Sequence, residues 1–153
     1  MQDHIQSICA RHSNQPGALL EILHDVQEAL GFVPETSLPV IAEALNLSRA
    51  EVYGVFTFYH DFRKAPAGRH VLKLCAAEAC QSMGSERLAA GIARVLGIEI
   101  GGTTKNGALT VESVYCLGNC ALAPAAMLDN KLIGRVDERK LDGVLTAGQA
   151  GGV

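Results

Sequence analysis

Cys75-Ala76-Ala77-Glu78-Ala79-Cys80 and Cys116-Leu117-Gly118-Asn119-Cys120 gather four of the five cysteines into two short segments, spaced C-x4-C and C-x3-C. A helix and a strand are expected between them. Two turns that each present a pair of thiolates can clamp one iron apiece and leave the sulfides to bridge the irons. Four Cys ligands are what a [2Fe–2S] cluster takes, so the pattern points to a cluster held by Cys75, Cys80, Cys116 and Cys120. Structural zinc also takes four thiolates, although it favours tighter C-x2-C knuckles, and spacing alone leaves it open. Disulfides require an oxidising compartment, and a thioredoxin-type redox pair requires a C-x-x-C that this chain lacks. Coincidental burial of four small thiols explains the doubled pairing poorly.

Working outward, Arg69 to Leu74 alternates as a strand and delivers Cys75 at its C-terminal end, while Leu109 to Tyr115 is a second strand ending on Cys116. If the two strands are parallel, both cysteine loops leave the same end of one sheet. Gly84 to Leu96 reads as a helix with Leu88, Ile92, Val95 and Leu96 on its inner side and Gly97 ending it. The run from Gly101 to Gly107 (GGTTKNG) reads as a flexible loop. Residues 125–128 and 132–136 flank Asp129-Asn130-Lys131 as a hairpin, Asp137 caps a last helix through Leu141, Val144 and Leu145, and residues 149–153 read as a frayed end. Gly84, Gly118 and Pro124 fit loops that let backbone pass close to a bound group, and backbone N–H groups there could donate to its sulfurs. The order strand, helix, strand, hairpin, helix is compatible with a thioredoxin-like α/β sandwich, without singling that fold out.

The N-terminal part reads as helices. Leu19, Ile22, Leu23, Val26 and Leu30 share one face, with Gly31 and Pro34 stopping that helix. A second helix begins near Ser37 with Pro39 in its first turn, and Ser48-Arg49-Ala50-Glu51 has the form of a capping box opening a third. Cys9 is expected as a partly buried thiol in a short first helix. His4, His12, His24, His60 and His70 are scattered, and no pair has a metal-site spacing. The polar connector after Tyr59 sets the expected division: a helical docking domain, 1–60, and a cluster domain, 61–153.

Composition excludes several classes. With 153 residues and 48% hydrophobic content the chain can bury a sizeable core, and a formal net charge of −3 offers nothing for nucleic acid or an anionic membrane. No apolar run is long enough for direct membrane insertion. The stretch MQDHIQSICARHSNQPG has neither a basic n-region nor a continuous apolar core, so a reducing cytoplasmic setting is expected. No G-x-G-x-x-G or Walker A sequence is present.

CLGNCALAP at Cys116–Pro124 and CAAEACQSMG at Cys75–Gly84 resemble motifs of the thioredoxin-like [2Fe–2S] subunits of the respiratory complex I family. VYGVFTFY at Val52–Tyr59 and GFVP at Gly31–Pro34 are similar to that family's N-terminal helical segment, so the resemblance covers nearly the whole chain. The form EACQSMG is similar in particular to the gamma subunit of NAD-dependent, molybdenum-containing formate dehydrogenases. Related subunits occur in NADH:quinone oxidoreductase and in NAD-reducing hydrogenases, and complex I members commonly carry an uncharged pair such as Gly-Thr where this chain has Ala77-Glu78. The resemblance implies an α/β fold, a thioredoxin-like [2Fe–2S] ferredoxin domain preceded by a small helical domain. It also implies ligand roles for Cys75, Cys80, Cys116 and Cys120. Its expected partners are a flavin- and NAD-binding subunit and a larger molybdenum-containing catalytic subunit of the same oxidoreductase. A cluster passes single electrons whereas NAD takes a hydride, so a flavin must convert between them elsewhere, and this chain alone should catalyse nothing.

Overall fold

A computed structural model describes residues 2–149, and the chain divides into two compact units, Met1–Pro66 and Ala67–Val153. The first is helical: α1 (Gln2–Arg11), α2 (Leu19–Leu30), α3 (Leu38–Leu45) and α4 (Arg49–Phe58). Each end has its local cause. Gly31 takes a left-handed φ of 80° and closes α2, as its position after the apolar stripe implies. Asn46 does the same for α3 at 53°. Ser48 and Glu51 form both bonds of the capping box that opens α4.

Ile5, Ile8, Ile22, Leu23, Val26, Ile41, Leu45, Val52 and Phe56 make the buried core of this unit. Asp25 on α2 takes both His12 and Arg11, at 3.0 and 3.3 Å, and so ties α2 to the end of α1. Cys9 is wholly buried rather than partly so, because it lies on the same face of α1 as Ile5 and Ile8. Burial pushes its thiol above the usual range.

The boundary falls six residues beyond the expected one, after Pro66 instead of after His60. The connector is polar in composition, yet Phe62 is buried in the helical core, stacked on Phe56 and tilted against His24. The Gln27 side chain binds it at two points, donating to the Asp61 carbonyl at 2.8 Å and accepting from the Arg63 N–H at 2.6 Å.

The second unit is a four-stranded mixed sheet in the order β2-β1-β3-β4. The strands are β1 (His70–Cys75), β2 (Leu109–Val114), β3 (Ala126–Leu128) and β4 (Lys131–Ile133), with helices α5 (Glu78–Ser82), α6 (Ser85–Leu96) and α7 (Glu138–Gln149). β1 and β2 are parallel, with Cys75 opposite Val114, and β3 and β4 add antiparallel on the other side of β1. Asp129 and Asn130, both at positive φ, make the two-residue turn of the hairpin, and Lys131, expected in the turn, opens β4 instead. Asp137 accepts from the Lys140 N–H at 2.8 Å and caps α7. α6 and α7 pack on β1 and on each other, placing Leu88, Ile92, Leu141 and Leu145 in one core with Leu72, Leu74, Leu109 and Val111.

Four expectations need correction. Val95 is 60% exposed, because α6 turns only its Leu88–Ile92 stripe fully inward and Leu96 half-way. The run 101–107 is not a free loop. Gly101 donates to the Val111 carbonyl, Val111 donates to Gly102, and Thr103 bridges Thr110, so this segment covers the outer edge of β2. The last hairpin strand ends at Ile133, short of Gly134. The segment from Cys75 to Cys80 contains a helical turn, α5. Gln149, expected in the frayed end, closes α7, and the rest of that end, 150–153, lies outside the described residues.

Cys9→Ser puts a hydroxyl into the dry core of the helical unit and should cost about 1–3 kcal/mol of its stability. Urea unfolding measures the loss, and the iron content of the native protein should stay unchanged.

Candidate iron–sulfur site

Parallel pairing of β1 and β2 brings the two cysteine segments to one edge of the sheet. Cys75 is the last residue of β1 and is buried; Cys80 is buried on α5, one turn further on. Cys116 lies two residues beyond the end of β2, and Cys120 opens a short 3-10 turn, Cys120–Leu122; both are exposed. Ala125 is buried with Cys75 and Cys80, and Ala77, Leu117 and Ala123 pack against them, a lining of mainly small side chains.

The second loop meets the first at a sulfur. Burial alone would push the Cys75 thiol up, but the Ala77 amide, the Cys80 thiol and the Cys116 and Leu117 amides all interact with its sulfur and hold it below the usual thiol range. Two of those amides belong to the opposite loop. Cys80 goes the other way: burial raises it, partly offset by the Ala125 N–H, and the Cys75 thiolate raises it further. The Cys116 and Cys120 sulfurs stand 3.7 Å apart, far beyond the roughly 2.0 Å of a disulfide. Their hydrogen bond and mutual charge raise Cys120, with smaller contributions from burial and from Cys75. Gly118 donates its N–H to the Cys116 sulfur at 3.3 Å.

The backbone of the second loop is held in sparsely populated conformations. Cys116 has φ +94° and Gly118 +71°. The first is a strain on the order of 1–3 kcal/mol for a residue with a Cβ, of the kind that gathers at functional sites. No sequence signal announces it, since Cys is not a residue that favours this region.

These residues fit an anionic, sulfur-ligated group. Thiols stand in two pairs, and backbone N–H groups rather than cations are directed at the sulfurs. Among the described residues, no group of three or more His, Cys, Asp or Glu side chains stands close enough to hold one metal ion. The histidines go elsewhere: His12 to Asp25, His70 to Asp129 at 2.6 Å, and His24 onto Phe62.

The model of the thioredoxin-like [2Fe-2S] ferredoxin family matches residues 5–149. The chain belongs to that family. Its cofactor is a [2Fe–2S] cluster, which carries one electron at a time, and the zinc alternative left by spacing is set aside. Among relatives, a subunit of the NADH-quinone oxidoreductase of Pseudomonas aeruginosa is 40% identical over 126 residues, covering 82% of this chain and 76% of the relative. Subunit HndA of the NADP-reducing hydrogenase of Solidesulfovibrio fructosivorans is 31% identical over 129 residues, 84% and 75% of the two chains. A crystal structure of an air-oxidised NAD+-reducing [NiFe]-hydrogenase superposes with a TM-score of 0.72 at 25% identity over 87% of this chain. This chain spans only 23% of that hydrogenase chain's length. Among the described residues, no helix is long and apolar enough to cross a membrane.

Glu78, between the first two cysteines, is exposed in the first turn of α5 and lines an open groove of about 740 Å³ with Gln81, Glu86 and Tyr115. A carboxylate disfavours adding an electron nearby, but one standing in water is strongly screened. Glu78→Gln should therefore raise the cluster's midpoint potential by no more than roughly 20 mV. Redox titration of both proteins at one pH and salt concentration measures the shift.

Proposed function

We propose that Cys75, Cys80, Cys116 and Cys120 ligate the [2Fe–2S] cluster, and that the chain is an electron-transfer subunit of an NAD-linked dehydrogenase complex that oxidises formate. The observation that supports the ligand set is geometric: parallel pairing sets Cys75 opposite Val114, two residues before Cys116, and Leu117 of the second loop packs against Cys75 and Cys80. The exposed pair, Cys116 and Cys120, lies on the side from which an electron would leave or enter. Support for an NAD-linked complex comes from the relatives' names, quinone oxidoreductase and hydrogenase subunits alike. Support for formate comes from the form EACQSMG, with Ala77-Glu78 ahead of Cys80.

Such a complex needs a flavin- and NAD-binding subunit to exchange a hydride for single electrons, and a molybdenum-containing subunit to oxidise formate. This chain supplies neither and works as a carrier between redox centres, on the cytoplasmic side. Residues 1–66 serve docking. Their support is a separate core and the large aromatics left exposed at α4: Tyr53, Phe58 and Tyr59. A second reading, a component of NADH:quinone oxidoreductase, is favoured by the 40% identity to the Pseudomonas aeruginosa relative.

Purification of the tagged chain from its own cells decides between the readings. A molybdenum-containing complex that reduces NAD with formate is expected; a molybdenum-free complex that reduces quinone with NADH would overturn the formate assignment. In the purified chain, Cys→Ser at 75, 80, 116 or 120 should each lower iron content or change the reduced-state EPR signal. An unaltered cluster in the Cys116 or Cys120 variant would remove that residue from the ligand set. A chain beginning at Ala67 should still assemble a cluster and lose affinity for the flavin-binding subunit.

A further inference from the structure

Gly134 follows β4 directly, at the point where the chain leaving the hairpin runs past the turn that carries Cys120. A Cβ placed on Gly134 would stand 2.7 Å from the Leu122 Cβ, 2.9 Å from Asn119 Nδ2 and 3.2 Å from the Leu122 carbonyl oxygen. The Asn119 amide is the end of a side chain and can swing away. The Leu122 Cβ moves only with its backbone, and that backbone is the turn Cys120–Leu122. Two bonds fasten the same contact: Arg135 donates its N–H to the Leu122 carbonyl at 2.6 Å, and Val136 donates to the Pro124 carbonyl at 2.9 Å. Arg135 adopts a left-handed φ of 48° at this point.

The glycine is there for space. Its φ lies outside the left-handed region, so alanine would meet no backbone penalty, in contrast to Gly84 and Gly118. Gly91 and Gly143, inside α6 and α7, differ again: a Cβ on either meets nothing within 4 Å. A lone Gly at the end of a strand pattern, followed by no turn, is the sequence sign of a close backbone approach.

We propose that Gly134 is a positioning residue for the cluster: it lets residues 133–136 press against the Asn119–Leu122 turn and so sets where the Cys120 sulfur stands. The inference rests on the assignment of Cys120 as a ligand. An added methyl pushes the turn outward and leaves Cys75 and Cys80, on β1 and α5, where they are. The cluster still forms, but the outer pair is displaced. Hydrogen bonding to the sulfurs and exposure to water both change, and these tune a cluster's potential and its retention.

The test uses the full chain as wild type, Gly134→Ala, Gly143→Ala, Cys120→Ser, and Gly134→Ala combined with Leu122→Gly. Iron and sulfide per chain, the EPR spectrum after reduction, the midpoint potential and the rate of iron loss to a chelator are measured for each. Gly134→Ala should keep iron near the wild-type level, show altered g values and a shifted midpoint, and lose iron roughly tenfold faster, the usual scale for disturbing a metal site's supporting residues. Gly143→Ala should match wild type. Leu122→Gly removes the nearest atom the methyl meets, so the double variant should return toward wild type even if the single one is poorly folded. A wild-type spectrum, potential and iron-loss rate in Gly134→Ala, or no recovery in the double variant, overturns the proposal. An undisturbed cluster in Cys120→Ser overturns the ligand assignment and this inference with it. A damaged cluster in Cys120→Ser beside an undisturbed one in Gly134→Ala overturns this inference alone.

Discussion

A parallel strand pair cannot be closed by a tight turn; it needs a crossover that returns the chain to the starting end of the sheet. β1 and β2 form such a pair, in register from His70 opposite Leu109 to Cys75 opposite Val114. α5, α6 and the edge-covering segment 101–104 fill the crossover. The site depends on this one relationship. Had β2 run antiparallel to β1, its six residues would carry Cys116 to the opposite end of the sheet, about 20 Å away. Running parallel, both strands release their cysteines at one edge, where amides of the second loop reach a sulfur of the first.

Thiolates in that position must be stabilised, and the chain does it with backbone dipoles rather than lysine or arginine. Fixed N–H groups from Ala77, Cys116 and Leu117 outweigh the burial of Cys75, whereas Cys80 and Cys120 are left above the usual range. A bound cluster requires all its thiols deprotonated, so metal binding releases protons from the site. Lowering every thiol beforehand would place several like charges in a small volume, against their mutual repulsion. The asymmetry between a buried pair and an exposed pair also gives the site an inner and an outer side. The outer pair sits on strained backbone, with Cys116 at φ +94°.

Much of this is legible in the residues. The stripe Leu19–Leu30 with Gly31, the box Ser48–Glu51, the turn Asp129-Asn130 and the cap Asp137 each carry a local physical signal that tertiary contacts leave intact. Cys75 can be placed at a strand end because alternation stops there, whereas β2 ends at Val114 and leaves Cys116 two residues beyond it instead of directly on its end as expected. Other features depend on contacts that no local pattern encodes. α5 is five residues long, too short for a 3.6-residue period to show. The segment 101–104 is Gly- and Thr-rich and acquires order only by meeting the open edge of β2. Phe62 sits in a run whose polarity suggests a linker, yet one aromatic ring and the two bonds of Gln27 bind that run to the helical core. Gly134 shows in sequence only as a lone glycine at a strand end; what it meets, the Cys120–Leu122 turn, is distant in sequence and close only in the fold.

Relatives at 31–40% identity belong to a quinone oxidoreductase and to a hydrogenase, so this architecture is shared by complexes that oxidise different donors. That is the expected behaviour of a carrier domain. The demands of holding a cluster fall on features that would tolerate little change: two thiol pairs, parallel strands, amides aimed at sulfur, and room for one loop to lie against another. The parent complex makes no demand on those features. It would act through exposed surfaces, of which the aromatics at α4 and the water-facing Glu78 between the first two cysteines are examples. Fold therefore speaks for electron carriage, and the choice of parent must be read from the exposed residues around the site and on the helical unit, which is where a partner's contacts would fall.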